Sequence, residues 1–163
     1  MKAVPTSFNE VAKKKITFED YLLMPEITPP YEIIDGELIM YAALIPAHQR
    51  ILINLIMPLN QHTVTRDLGV ILCAPVDIIV QRAPLRTRQP DVLFIRNDQL
   101  PGTSLEALEG VEVLEIAPDL VIEILSPSDT KKVLSGKITD YRRIGIKECW
   151  LVAVNPDRSR CRA

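Results

Sequence analysis

The sequence has few cysteines and no long apolar run, and each absence excludes a class of protein. The three cysteines, Cys73, Cys149 and Cys161, form no CxxC pair, so we expect reduced, structural thiols and a cytoplasmic protein. No apolar run approaches the roughly 18 residues that a membrane span needs. The start of the chain also lacks the apolar segment of a secretory signal. We therefore expect a soluble protein without membrane contact.

The net charge is small, since 19 Lys and Arg residues stand against 21 Asp and Glu residues. This balance argues against a protein that coats nucleic acid, although a local basic patch is compatible with it. A length of 163 residues lies close to the common size of one domain, roughly 100–150 residues. We expect a poorly ordered lead-in at residues 1–16 and a single domain over residues 17–163.

Two local signals predict how this domain begins. Thr17 and Asp20 fit a capping box for a short helix that runs through Met24. The dipeptide Asp35-Gly36 lies between two apolar segments, a pattern that predicts a tight β-hairpin. The domain should therefore open with a helix and a hairpin.

Apolar periodicity predicts the remaining elements. A helix is expected from His48, and Pro58 should kink or end it near Met57. The later segments predict a strand at Val70–Val80 interrupted by Pro75, strands at Asp91–Ile95 and Leu120–Leu125, a helix capped by Ser128 and running to about Arg143, and a strand at Cys149–Val154. This order indicates an α/β fold with one mixed sheet flanked by helices.

Asp91 and Glu123 each lie in an apolar strand segment. An unpaired buried charge costs several kcal/mol, so each carboxylate must be protonated, paired or bound to a metal. Side chains alternate along a strand, which places Glu123 on one face with Val121 and Leu125. The pair could hold a hard cation such as Mg²⁺, with Mn²⁺ as a possible substitute. Backbone amides or an arginine could satisfy it equally well.

Basic residues nearby could complete a site. Lys137 and Tyr141 share a face of the predicted helix, and Lys137 could reach the carboxylates or lie at the surface. Arg82, Arg86 and Arg88 crowd the segment before Asp91. They could contact phosphates, or they could belong to a solvated loop.

The chain resembles a known family in several ordered blocks. These are Tyr31–Leu38, His48–Ile51, Ala74–Asp77, Gln89–Phe94, Ala117–Ser128, Lys137, Tyr141 and Gly145–Val152. The blocks are similar to the Uma2 family of endonucleases, within the PD-(D/E)XK restriction-endonuclease-like superfamily. The resemblance implies an αβββαβ restriction-endonuclease-like core in which Asp91 and Glu123 bind the metal. It also implies that the lysine of the superfamily, expected at Leu125, has moved to Lys137.

The resemblance further implies roles for secondary residues. Glu32 is a candidate substitute for the glutamate of the superfamily's first helix, and His48 matches a position that serves for capping or packing more often than as a ligand. The family has an acidic residue where this chain has Val133. The family also continues past the last strand, so this copy is expected to be truncated at the C-terminus.

Two hypotheses for the function follow. The first is a Mg²⁺-dependent endonuclease that hydrolyses DNA with a metal-activated water. The second is a catalytically inactive nuclease fold that serves as a binding or assembly module. An uncovered edge near Cys149–Val154 would favour a homo-oligomer, most simply a dimer.

Overall fold

Among the residues that the structure describes, short strands alternate with three α-helices. The structure is a computed structural model that describes residues 15–27, 29–41, 45–100, 108, 111, 113–126 and 129–153. In chain order the elements are α1 (Phe18–Tyr21), β1 (Tyr31–Ile34), β2 (Glu37–Met40), α2 (Pro46–Thr65), β3 (Gly69–Cys73), β4 (Ile78–Gln81), β5 (Arg86–Arg88), β6 (Val92–Arg96), a 3-10 turn (Asn97–Gln99), β7 (Leu120–Leu125), α3 (Lys131–Arg143) and β8 (Glu148–Ala153).

A four-stranded sheet in the order β3-β6-β7-β8 forms the centre of the fold. Strand β6 pairs antiparallel with β3 and with β7, whereas β7 and β8 run parallel. A parallel pair needs a crossover connection, which α3 supplies between β7 and β8. With α2 before β3, the sheet and its helices follow the order αβββαβ. The predicted α/β class with a mixed sheet and flanking helices is confirmed.

The predicted hairpin forms as expected, because its turn residues accept the required backbone. Asp35 and Gly36 have φ values of 53° and 81°, and positive φ at both central positions is what a type I′ turn needs. The hairpin packs on the small β4-β5 sheet. The backbone N–H of Ile33 donates to Oγ1 of Thr87 at 2.9 Å, and that of Gly36 donates to the carbonyl of Leu85 at 2.8 Å.

The main core lies on the α3 side of the central sheet. Leu93, Ile95 and Val121 project from β6 and β7 and are buried together with Tyr141 of α3. Burial on this face explains why α3 packs closely enough to bring polar side chains to the sheet. Within the described residues, no helix has the length and apolar character that crossing a membrane requires.

The interruption predicted at Pro75 is present, but two expectations about prolines are corrected: the strand does not resume in the same sheet after Pro75, and Pro58 does not end its helix. The segment Val70–Val80 is not one strand: β3 ends at Cys73, and β4 belongs to a separate sheet. The last ladder contact is made by the N–H of Ala74, which donates to the carbonyl of Asp91. Pro75 then fixes φ at about −65°, away from the usual value of a strand, and the chain leaves the sheet there. Helix α2 continues through Pro58 to Thr65, because Pro58 lies on an exposed face where water can satisfy the freed carbonyl.

Two helix boundaries also differ from the prediction, and one residue of the predicted lead-in is buried. The capping box of Thr17 is present, but α1 ends at Tyr21 instead of Met24. Helix α3 is capped by Thr130, and the predicted cap Ser128 lies outside the described residues. Ile16, placed in the lead-in by sequence, is 5% exposed. The rest of the lead-in, residues 1–14, is outside the described ranges.

Candidate active site

Asp91 and Glu123 lie opposite each other at the junction of β6 and β7. In this antiparallel pair Val92 is opposite Ile122, so one further step in the same register brings Asp91 opposite Glu123. Directly opposed residues project from the same face of a sheet. The backbone N–H of Ile124 donates to Oδ2 of Asp91 at 2.6 Å, as expected from this register. The two carboxylates are therefore neighbours.

Asp91 is oriented from two sides. Besides the N–H of Ile124, the Nε2 atom of His48 lies 3.2 Å from Oδ1 of Asp91, and a proton on Nε2 makes this a hydrogen bond. His48 is 3% exposed near the start of α2, so its ring holds a fixed position. Burial raises the pKa of Asp91 above its ordinary value, against the opposing effects of the Ile124 N–H and His48. His48 thus packs against the site and orients one of its carboxylates.

Glu123 is buried on β7, and both of its oxygens meet side chains of α3. The ammonium of Lys137 donates to Oε2 at 2.7 Å, and the hydroxyl of Tyr141 donates to Oε1. These two residues are four apart on a helix and so lie on one face. Burial raises the pKa of Glu123, opposed chiefly by the charge of Lys137. Burial alone would lower the pKa of Lys137, because it disfavours the charged ammonium. The negative charges of Glu123 and Glu32 outweigh this effect, so the pKa of Lys137 is raised.

Glu32 is the third carboxylate of the cluster. It projects from β1 with 1% exposure, and its Oε1 lies 3.4 Å from Nζ of Lys137. Its Oε2 accepts hydrogen bonds from Tyr41 and from Arg88, each at 2.6 Å. The backbone N–H of Gln89 lies 3.4 Å from Oε1. Glu32 therefore contacts the lysine of the site, while neighbouring donors satisfy its oxygens.

Arg86 and Arg88 lie on β5, where their guanidinium groups bind carboxylates. Arg88 contacts Oδ2 of Asp140 through Nε at 2.8 Å and through NH2 at 2.6 Å. Arg86 contacts Asp140 at 3.1 Å and Asp35 at 2.6 Å. Arg88 is only 4% exposed. Phosphate binding by these two residues stays a prediction, and their observed partners tie the hairpin and β5 to α3.

Tyr41 and Asp140 were missed by the sequence analysis, although each carried a signal. In the hairpin, Glu32 is opposite Ile39, and Tyr41 follows Ile39 by two residues, so it lies on the face of Glu32. Asp140 follows Lys137 by three residues and therefore belongs to the same helix face. Neither signal names a partner: a shared face does not by itself pair Tyr41 with Glu32, and Arg88 is 52 residues from Asp140 in the sequence.

The donor chemistry suits a hard divalent cation. Across the described ranges, no group of three or more His, Cys, Asp and Glu side chains is arranged to hold a metal ion. Mg²⁺ does not require such a cage, since it is commonly held by one or two carboxylates, several waters and substrate phosphates. Asp91 has a side chain that is 14% exposed, so water can approach it. Two adjacent carboxylates, one of which water can approach, are suitable ligands for Mg²⁺ or Mn²⁺.

Comparison with known proteins agrees with this fold. The model of the family described as "Uma2: Putative restriction endonuclease" matches residues 18–162. A similar solved structure is "a putative nuclease belonging to DUF820" from Anabaena variabilis ATCC 29413, with a TM-score of 0.71 and 23% identity over 85% of this chain and 74% of that chain. No curated protein matches. Because the family match spans nearly the whole sequence, this chain belongs to the Uma2 family.

Proposed function

We propose that the protein is a Mg²⁺-dependent endonuclease that hydrolyses phosphodiester bonds of DNA. The observation that carries this proposal is the juxtaposition of Asp91 and Glu123 in register on β6 and β7, with Nζ of Lys137 at 2.7 Å from Glu123. Asp91 and Glu123 would hold the cation. When bound there, the cation would supply Lewis-acid stabilisation of phosphoryl oxygens and increase the acidity of water.

The protein's own residues would prepare the site in three ways. His48 and the N–H of Ile124 fix the direction of Asp91. The hydroxyl of Tyr141 fixes one oxygen of Glu123. Lys137 places a positive charge beside the carboxylates, where it can stabilise the negative charge that develops on the phosphate.

Glu32 would act as a positioning residue for Lys137. Its Oε2 already accepts from Arg88 and Tyr41, and the side chain is 1% exposed, so contact with substrate is disfavoured. Its Oε1 lies 3.4 Å from Nζ of Lys137. Contacts with two carboxylates, Glu32 and Glu123, restrict where that ammonium can move. This arrangement supports a fixed cationic centre, which electrostatic catalysis requires.

Cleavage of plasmid and oligonucleotide DNA with Mg²⁺ or Mn²⁺ tests the proposal, together with calorimetric titration of the metal. Asp91→Asn and Glu123→Gln should abolish metal-dependent cleavage and weaken metal binding while leaving the fold intact. Asp119→Asn is a matched control, because Asp119 also follows a proline but contacts Arg96 and Lys147 instead. If the Asp91→Asn variant and the Glu123→Gln variant both still cleave DNA, the proposal is contradicted.

The second candidate is a catalytically inactive module of the same fold. It is favoured by the saturation of Glu123, whose two oxygens already bind Lys137 and Tyr141. In this case calorimetry would detect no Mg²⁺ or Mn²⁺ binding, and Asp91→Asn would leave every activity of the protein unchanged. The same titration therefore separates the two candidates. The free thiols of Cys73 and Cys149 are compatible with a cytoplasmic setting for either.

A further inference from the structure

A cavity of about 430 Å³ lies beside the candidate active site. It is lined by residues from four parts of the chain, including Tyr21, Tyr31, Leu72, Val76, Asp77, Gln89 and Leu114. This volume is within the range of roughly 300–1,000 Å³ that is typical of small-molecule sites. Neither the metal-binding pair nor Lys137 belongs to its lining, so the proposed chemistry does not account for it.

The cavity and the candidate active site share one face of the central sheet. Leu72 of β3 is opposite Leu93 of β6, and Leu93 follows Asp91 by two residues, so all three project from the same face. The N–H of Ala74 donates to the carbonyl of Asp91 at 3.1 Å. Gln89 lies two residues before Asp91. A strand of nucleic acid with its phosphate at Asp91 would therefore have a neighbouring base close to the cavity.

The lining is rigid, aromatic and rich in acceptors. The hydroxyls of Tyr21 and Tyr31 both donate to Oδ2 of Asp77, at 2.6 and 3.0 Å, which fixes the two rings. Asp77 is 7% exposed. Its Oδ1 has no hydrogen bond of standard geometry among the described residues. Burial raises the pKa of this carboxyl, and the side-chain amide of Gln89, also in the lining, is near enough to oppose the rise. Oδ1 is therefore an acceptor that Gln89, a ligand donor or water can satisfy.

The charge of the lining selects the kind of ligand. Among the described residues that form the cavity, Glu26 and Asp77 carry negative charge and no lysine or arginine is present. A phosphate group would be repelled. A nucleobase suits the cavity better, because it has an apolar face for stacking on aromatic rings and edge N–H groups for acceptors.

We infer that the cavity receives one unpaired nucleobase adjacent to the phosphate at the active site, so that the substrate is single-stranded DNA or a single-stranded flap. This inference rests on the proposed nuclease function. A base inside a duplex is stacked and paired, and it would have to be extruded before it could enter. Single strands and flaps present such a base without that step.

Binding without metal tests the inference separately from cleavage. The probes are fluorescent dT12, an abasic 12-mer with the same backbone charge but no bases, and a blunt hairpin duplex, all measured by polarisation in EDTA. We expect the wild-type protein to bind dT12 at least tenfold more tightly than the abasic 12-mer. Equal affinities would overturn the inference.

Val76→Trp fills the cavity and should erase the preference for dT12. Val64→Trp is the matched control, because Val64 is 65% exposed on α2 and is not part of the lining; it should retain the preference. If Val76→Trp keeps the preference for dT12 over the abasic strand, the inference is also overturned. If Val76→Trp does not fold, NMR of the wild-type protein replaces it. The backbone amide signals of Val76, Asp77 and Gln89 should shift when dT12 is added but not when the abasic strand is added.

Cleavage in Mg²⁺ distinguishes failure of the inference from failure of the proposed function. Preference for dT12 without any cleavage would support the base site and reject the nuclease. Equal cleavage of the blunt duplex and of single strands, unaffected by Val76→Trp, would support the nuclease and reject the base site. Preferential cleavage of single strands and flaps, lost in Val76→Trp, is the expected result.

Discussion

Replacing Lys137 with methionine probes the site most directly, because one ammonium neutralises two buried carboxylates. Its Nζ lies 2.7 Å from Glu123 and 3.4 Å from Glu32, whose side chains are only 7% and 1% exposed. Removing one partner of a buried ion pair costs about 3–5 kcal/mol, since the remaining charge is left uncompensated. We expect Lys137→Met to lose about this much unfolding free energy in EDTA, or about 10 °C in Tm for a chain of this size.

A divalent cation should reverse much of this loss. Without the ammonium, Oε2 of Glu123 is free for the cation, so Lys137→Met should bind Mn²⁺ more tightly than the wild-type protein. A ligand at 100 times its Kd adds about 2.7 kcal/mol of stability. Turnover should nevertheless stay more than tenfold below that of the wild-type protein, a loss of at least ~1.4 kcal/mol in transition-state stabilisation.

Differential scanning calorimetry in EDTA and at increasing Mn²⁺ measures both effects. Lys147→Met is the control, because Lys147 has a side chain that is 66% exposed and pairs with Asp119 at 3.3 Å. Exposed pairs of this kind contribute about 0–1 kcal/mol. The reasoning is refuted if both variants lose the same Tm, or if Mn²⁺ raises the Tm of Lys137→Met no more than that of the wild-type protein.

Three further predictions concern residues outside the metal-binding pair. Arg88→Met removes the closest cation from Glu32 and Asp140, which keep longer ion pairs with Lys137 at 3.4 Å and with Arg86 at 3.1 Å respectively, and should cost up to about 3–5 kcal/mol in urea unfolding; a loss under about 1 kcal/mol would contradict it. Burial raises the pKa of Asp77, so wild-type stability should fall as pH rises from the ordinary carboxyl pKa through the raised one. Asparagine does not titrate, so the Tm of Asp77→Asn relative to that of the wild-type protein should rise with pH over that window. A difference in Tm that stays constant with pH would contradict the prediction. Trp150 of β8 is 43% exposed; sedimentation should detect a dimer that Trp150→Lys dissociates, whereas a wild-type monomer would exclude this interface.

Elements encoded by adjacent residues were predictable from sequence. The turn at Asp35-Gly36 and the capping box of Thr17 depend on contacts within four residues, and the structure has both. Strand β7 was predicted with its observed bounds because its apolar run ends at a clear break. The pairing of Asp91 with Glu123 followed from placing both on consecutive core strands.

The ion pairs around the site were not predictable in the same way. Arg88 reaches Asp140 and Glu32 across 52 and 56 residues of sequence. Arginine residues in a segment with turn signals are typical of a solvated loop, and only the packing of β5 against β1 and α3 buries them. The interruption at Pro75 was predicted, but the change of sheet after it was missed for a related reason, since apolar residues continue on both sides while the strand changes its partner.

These ion pairs explain how a lysine on a helix can serve a site on a strand. Lys137, Asp140 and Tyr141 occupy one face of α3, and each of them binds a charged residue of another element. Lys137 and Tyr141 bind Glu123 on β7, whereas Asp140 binds Arg88 on β5. The rotation of α3 about its axis is therefore fixed at two points. Loss of Arg88 would leave Asp140 with its longer contact to Arg86 at 3.1 Å and so loosen one of these points. A residue without contact to Glu123 would then still influence where the ammonium lies.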